Sequence, residues 1–294
     1  MWFKEIIIME FLMVIINGLS IGGTYAMIAL GYTMVYGIAK MLNFAHGDII
    51  MVGGYTIVLF FPINPIVGII ASIIFCVVVG IVVEKSAYRP LRGASPLAVL
   101  ITAIGVSKLL QSAAQIFVGS ESKGVTVNLG ELNIGSLKIS VLTLLTILCS
   151  IAVMVALTLF VKRTRTGRAM VAVSEDRGAA QLMGVNVNFV ITVTFIIGSA
   201  LAAIASTFLV LKIQDVGSTF GAMPGIKAFA AAVIGGIGSI PGAMVGGIAL
   251  GFIEAICAVT PLQPYTDAIE FAILIIVLLV KPTGILGKKR REKV

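Results

Sequence analysis

Apolar residues gather along this chain into runs close to the length of a bilayer crossing. They cover residues 7–36, 48–62, 63–83, 96–118, 139–161, 189–211, 225–259 and 268–280. A spanning helix needs roughly 20 mostly apolar residues. The pattern therefore predicts an all-α fold, a polytopic transmembrane helical bundle forming a single domain over 1–294. Two runs exceed one simple span. The first is interrupted by Asn17, Gly18, Gly22 and Gly23, the seventh by Gly235, Gly236, Gly238, Pro241 and Gly242. Splitting the seventh gives eight to ten spanning or half-spanning helices.

Charge orients the runs, because Lys and Arg near helix ends favour the cytoplasmic side. Loop 84–95 carries Lys85, Arg89 and Arg92. Loop 162–188 carries Lys162, Arg163, Arg165, Arg168 and Arg177, and a basic tail over 281–294 includes Lys288, Lys289, Arg290 and Arg291. These three are expected in the cytoplasm. Loops 119–138 and 212–224 are nearly balanced and are expected outside. The run 225–259 must then begin and end outside, which requires two crossings or a re-entrant hairpin. Counting back places the N-terminus outside.

Composition strengthens this picture. Of 294 residues, 59% are apolar and 12% charged, against about 25% charged in a soluble domain. Mean hydropathy is +1.12. The net charge of +8 flanks the apolar runs, so topology explains it better than nucleic-acid binding. Cys76, Cys149 and Cys257 lie inside apolar runs without metal-ligand spacing and read as small buried hydrophobes.

Catalytic chemistry finds little support. His46 is the only histidine, and neither a hydrolytic triad nor a nucleotide-binding fingerprint occurs. Its setting, Asn43-Phe44-Ala45-His46-Gly47-Asp48, is the most polar break in the first fifth of the chain. It reads as a turn between helices, with Asn43 capping a helix start and Gly47 giving a special backbone conformation, or as an unwound element lining a pathway. Gly-interrupted segments in opposite halves point to a transport pathway. Here they are 17–54 and 225–251, each containing Met-Val-Gly-Gly. Candidate pathway residues are Asn43, His46, Gly47, Gly235, Gly236 and Gly238. Ionisable residues within apolar runs are costly and suggest function by default. They are Glu10, Lys108, Lys227, Glu254 and Glu270. Glu10 and Lys108 suit an interface, while Glu254 and Glu270 could pair with Lys227.

Loop 162–188 predicts a cytoplasmic helix of about ten residues. Ser174 would cap it, Glu175 and Asp176 would occupy its first turn, and Gly184 with Asn186 would end it. Leu182 and Met183 would be presented to a partner groove, or the helix would lie in the lipid interface.

Within that loop, Ala179-Ala180 followed by Gly184 resembles the Glu-Ala-Ala-x-x-x-Gly motif of ABC importer permeases, with Gly178 in place of the glutamate. The longer string Gly167–Val187 resembles the branched-chain amino acid permease family, closest to its LivH-like half. So do Met41–Tyr55, Ser95–Ile104, Ala228–Gly247 and the closing Lys281–Gly287. The resemblance implies a permease that works with a second homologous permease subunit, two ATP-binding subunits and an extracytoplasmic substrate-binding protein. It implies Glu175, Asp176, Ala179, Ala180, Leu182, Met183 and Gly184 as the contact with the ATPase. It implies no cofactor in this chain, ATP and Mg being held by the ATPase, and a branched-chain or related amino acid as substrate in the inner membrane. Two alternatives stay open: a stand-alone ion-coupled carrier using Glu254, Glu270 or Lys108, and an ABC permease for urea or short amides.

Overall fold

The computed structural model describes residues 2–127, 129–134 and 137–287. The basic residues Lys288–Arg291 lie outside them. In chain order come α1 (Trp2–Ala39), α2 (His46–Phe60), α3 (Pro65–Val83) and α4 (Pro96–Phe117). Short strands β1 (Lys123–Gly124), β2 (Glu131–Ile134) and β3 (Leu137–Ser140) lead into α5 (Val141–Arg163), α6 (Arg165–Glu175) and α7 (Arg177–Leu182). The chain closes with α8 (Val187–Ile213), β4 (Asp215–Val216), α9 (Ala222–Gly235), α10 (Ile240–Ala258) and α11 (Thr266–Val280). Among the described residues, seven helices are long and apolar enough to cross a membrane, and α2 and α9 are shorter apolar helices. That matches the expected range.

One expectation fails at α1. The helix runs unbroken for 38 residues through Asn17, Gly18, Gly22 and Gly23. Its glycines are a packing seam rather than breaks. A Cβ on Gly18 would lie 2.7 Å from the Phe252 ring, and one on Gly22 would lie 2.7 Å from Ile248 Cα. On α10, a Cβ on Gly247 would meet Ala26 Cα at 2.5 Å, and Gly251 faces Gly22. Small residues four apart let two backbones approach closely, and in lipid that packing replaces the hydrophobic drive available in water.

The seventh apolar run folds as the hairpin α9–α10. Its turn spans 236–239, where Gly236 (φ +110) and Gly238 (φ +92) take backbone conformations that suit only glycine. Ser239 caps α10, accepting from Gly242 N at 3.2 Å, and Pro241 sits in the first turn instead of breaking the run. The tip is held by Ile285 N donating to Ile234 O (2.8 Å) and Leu286 N to Gly235 O (2.9 Å). The two Met-Val-Gly-Gly stretches sit in different surroundings. Gly53 faces Ser206 and Cys76, whereas Gly246 faces Ala231 and Gly235.

The ends of α1 and α3 and the start of α8 share one face with α6 and α7. Arg177 reaches the carbonyl oxygens of Ile38 and Ala39, and Arg92 bridges Glu84 to Asn188. With Arg163, Arg165 and Arg168 at the helix ends beside them, these cations make it a basic face. On the opposite face β1 pairs antiparallel with β4, and β2 with β3.

Candidate functional site

The α6–α7 segment is built by two caps. Thr164 accepts from Gly167 N at 2.9 Å and starts α6, whose Met170 and Val173 turn inward. Asp176 breaks the helix at φ −150 and caps α7, accepting from Ala179 N at 2.9 Å. The expected ten-residue helix is therefore a six-residue one, and its cap is Asp176 and not Ser174. Ser174 lies inside α6, where its hydroxyl donates to Val171 O at 2.7 Å, and Glu175 is the last residue of α6. Both Ser174 and Asp176 are N-cap residue types, and spacing alone does not separate them.

Gly184 ends the segment as expected, at φ +82. Val185 N donates to Ala180 O at 3.0 Å, a Schellman-type closure. Asn186 does not end α7 but starts α8, accepting from Phe189 N at 3.0 Å. The result is a rigid knuckle that presents Leu182 at 90% and Met183 at 84% exposure. Glu175, Asp176, Ala179 and Gly184 are exposed beside them, and Ala180 is turned inward.

Behind this knuckle lies a polar network that the hydropathy pattern does not show. Residues Glu84–Tyr88 form a π-turn continuing α3. Such turns bring side chains inward out of register. Glu84 is fully buried, accepting from Arg92 and from Thr192 Oγ1 at 3.0 Å. A charge at the end of an apolar run reads as part of the following loop, and nothing in its spacing marks it as buried.

Only the first part of the Asn43–Asp48 stretch leaves the helix, since α2 begins at His46. Lys40 turns the chain at φ +54, and residues 40–45 are non-helical. Irregular backbone survives there because protein covers it. Asn43 is 2% and His46 1% exposed. Asn43 does not cap α2: its Oδ1 accepts from the Tyr88 hydroxyl at 2.8 Å, and Ala45 stands at the cap. The His46 ring packs edge-on to Tyr32, with centroids 4.6 Å apart. Gly47 has an ordinary backbone, and its role is close approach, since a Cβ there would lie 2.6 Å from Gly221 O. Asp48 accepts from Gln111 Nε2 at 2.9 Å, and Lys108 donates to that same Gln111 at 3.0 Å.

Near the opposite face, Lys227 is the centre of the intramembrane charges. Its Nζ lies 3.3 Å from Glu254, 3.2 Å from Glu270 and 2.7 Å from Asp267. The expected pairing with Glu254 and Glu270 is present. Asp267 joins it, as does Tyr25, whose hydroxyl donates to Glu254 at 2.7 Å. Asp267 was legible in principle, lying one turn before Glu270 on α11. Glu10 is exposed, as suits an interface.

Cavities open on both faces of the bundle. One, of about 480 Å³ on the face opposite the basic one, is lined by Asn17, Ser20, Thr146 and Phe208, with Lys212 and Glu254 supplying opposite charges. The other, of about 490 Å³ on the basic face, is lined by Lys40, Arg92 and Arg177 and by leucines of α4. Asn43, His46 and Gly47 line neither, and nor do Gly235, Gly236 and Gly238.

Comparison with known proteins gives this architecture a family. The family described as branched-chain amino acid transport system / permease component matches residues 14–278. The chain is 43% identical to the high-affinity branched-chain amino acid transport system permease protein BraD of Pseudomonas aeruginosa, over 98% of this chain and 99% of the relative. It is 41% identical to the corresponding permease protein LivH of Escherichia coli K12, over 97% and 98%. Among solved structures, PsaBC from Streptococcus pneumoniae in complex with Fab shares the fold, with a TM-score of 0.51 and 15% identity over 91% of each chain. An integral membrane bundle matched end to end by these permeases belongs to the branched-chain amino acid transport system permease family.

Proposed function

We propose that this chain is one permease subunit of an ATP-driven importer that moves branched-chain amino acids across the cytoplasmic membrane. The observation that carries the reading is the α7 knuckle, a short capped helix that holds Leu182 and Met183 almost fully exposed beside Asp176 and Ala179. Apolar side chains held in water by a rigid turn suit a groove on a partner. That partner is an ATPase carrying ATP and Mg, and a second permease subunit and an external binding protein complete the system.

The basic face is cytoplasmic on this reading, because Arg89, Arg92, Arg163, Arg165 and Arg168 cluster at its helix ends. The start of α1 is then outside. Closure of the ATPase moves α7, and Arg177 carries that movement to the end of α1, where it bonds Ile38 and Ala39. The cavity on the outer face offers hydroxyls, an amide and opposite charges around an apolar wall, which suits a zwitterion with an aliphatic side chain. Asn43 and His46 then act by setting how α2 packs against α1 rather than by touching the solute.

One observation favours a second reading. Lys227 with three carboxylates near the membrane exterior is what an ion-coupled carrier would use. Leucine uptake into proteoliposomes separates the two, with the chain alone compared against the chain with candidate partners, ATP inside and binding protein outside. Uptake that needs ATPase and binding protein supports the importer. Uptake by the chain alone that follows an ion gradient overturns it. Competition by urea and short amides tests the substrate class.

A further inference from the structure

We propose that the basic-face cavity is a binding site for an anionic phospholipid of the adjoining leaflet. The cavity, of about 490 Å³, lies between the last turn of α1, loop 89–95, the first turns of α4 and Arg177. Lys40, Arg92 and Arg177 line it, and among the described residues no carboxylate does. Arg92 spends its Nη groups on Glu84 and Asn188, and Arg177 spends Nη2 on the carbonyl oxygens of Ile38 and Ala39. Both guanidiniums also hold an Nε–H that is closed to solvent and has no acceptor among the described residues. Arg177 meets no carboxylate among the described residues, so the wall favours an anionic ligand.

Charge points the same way. Glu84 pairs with Arg92 and not with Arg177. Burial, and then the neighbouring charge of Arg92, push the Arg177 guanidinium below its usual pKa. Among the described residues, the two guanidiniums therefore carry more positive charge than the one carboxylate beside them. A phosphate group answers this charge, offering several acceptor oxygens and negative charge to guanidiniums.

The rest of the wall selects the source of that phosphate. Leu91, Pro96, Leu97 and Leu100 form it, and Leu97 stands 63% exposed on the outer side of α4 beside Ile101 at 61%. A free phosphate would leave this apolar surface uncovered, whereas an acyl chain covers it. Basic pockets at membrane-helix ends are suited to anionic headgroups. A zwitterionic lipid would bring its ammonium group against the same cations. The site spans the end of α1 and the anchor of α7, so an occupied cavity braces the coupling segment.

The test uses the full chain, stripped of lipid in detergent and titrated with phosphatidylglycerol, phosphatidylcholine or inorganic phosphate. Bound lipid is read by native mass spectrometry and stability by thermal unfolding. Phosphatidylglycerol should remain bound and raise Tm, with phosphatidylcholine and inorganic phosphate at least about tenfold weaker. Arg177→Gln should weaken phosphatidylglycerol binding about tenfold. Leu100→Trp, which keeps every cation and fills the cavity, should also displace it while the protein still unfolds cooperatively. Equal binding of the two lipids, an equal shift with inorganic phosphate, or phosphatidylglycerol retention unchanged in Leu100→Trp would overturn the proposal.

Discussion

Arg177 Nη2 lies 3.2 Å from the carbonyl oxygen of Ile38, joining residues 139 positions apart in sequence. The last carbonyls of a helix have no partner within it, so a guanidinium there stabilises the end of α1 and fastens α7 to it. Arg177→Ala should therefore lower partner-dependent uptake about tenfold without changing the amount of protein inserted, since charge-assisted bonds of this kind contribute about 1.5–3 kcal/mol. Lysine, with one compact ammonium, should restore uptake only in part. Uptake rates normalised to inserted protein decide it, and wild-type rates in Arg177→Ala would remove the mechanical link.

The exposed pair on α7 makes a different demand. Leu182 and Met183 contribute almost nothing to the interior of this chain. Replacing both with aspartate should leave the melting temperature nearly unchanged and should loosen the ATPase about 30-fold or more, as expected when an apolar anchor worth about 2 kcal/mol is lost. Co-purification and titration with the ATPase measure the second effect. Unaltered affinity would return α7 to the lipid interface as a passive amphipathic segment.

Lys227 is 8% exposed and faces Glu254, Asp267 and Glu270, of which Glu270 is fully buried. Lys227→Met leaves three carboxylates without their cation. Removing one partner of a buried pair typically costs about 3–5 kcal/mol, so this variant should melt well below the wild type in detergent. Adding Glu270→Gln should recover part of the loss, because the most buried carboxylate is then neutral. A Lys227→Met protein with wild-type stability and altered ion dependence of uptake would instead make the cluster a coupling site.

These cases show what is readable from sequence and why. Lys227, Glu254 and Glu270 are legible because charge in an apolar run is rare enough to demand a partner. The helix order is legible because apolar length follows bilayer thickness. Gly184 can be read as a helix end because a left-handed turn selects glycine. What misleads is residue type without register. Gly18 and Gly22 look like breaks, yet they are the face on which α10 packs. Ser174 and Asp176 are equivalent caps until the chain turns at one of them. Glu84 is invisible because its burial depends on the π-turn and on Arg92 and Thr192, which arrive from elsewhere in the sequence.

The glycine seam gives the sharpest contrast between two substitutions of one residue type. A Cβ on Gly22 would meet Ile248 Cα at 2.7 Å, and this contact is backbone, so no side chain can swing aside. Gly22→Val must push α1 and α10 apart along their whole contact, and overpacking of this kind should cost about 3 kcal/mol or more. A Cβ on Gly105, in α4, would meet nothing within 4 Å. There alanine should stabilise the helix by about 0.5–1 kcal/mol, since glycine loses more backbone freedom on folding. Thermal unfolding of both variants in one detergent measures the difference. If Gly22→Val melts with the wild type, the seam tolerates separation and the close approach of α1 to α10 does not hold the bundle together.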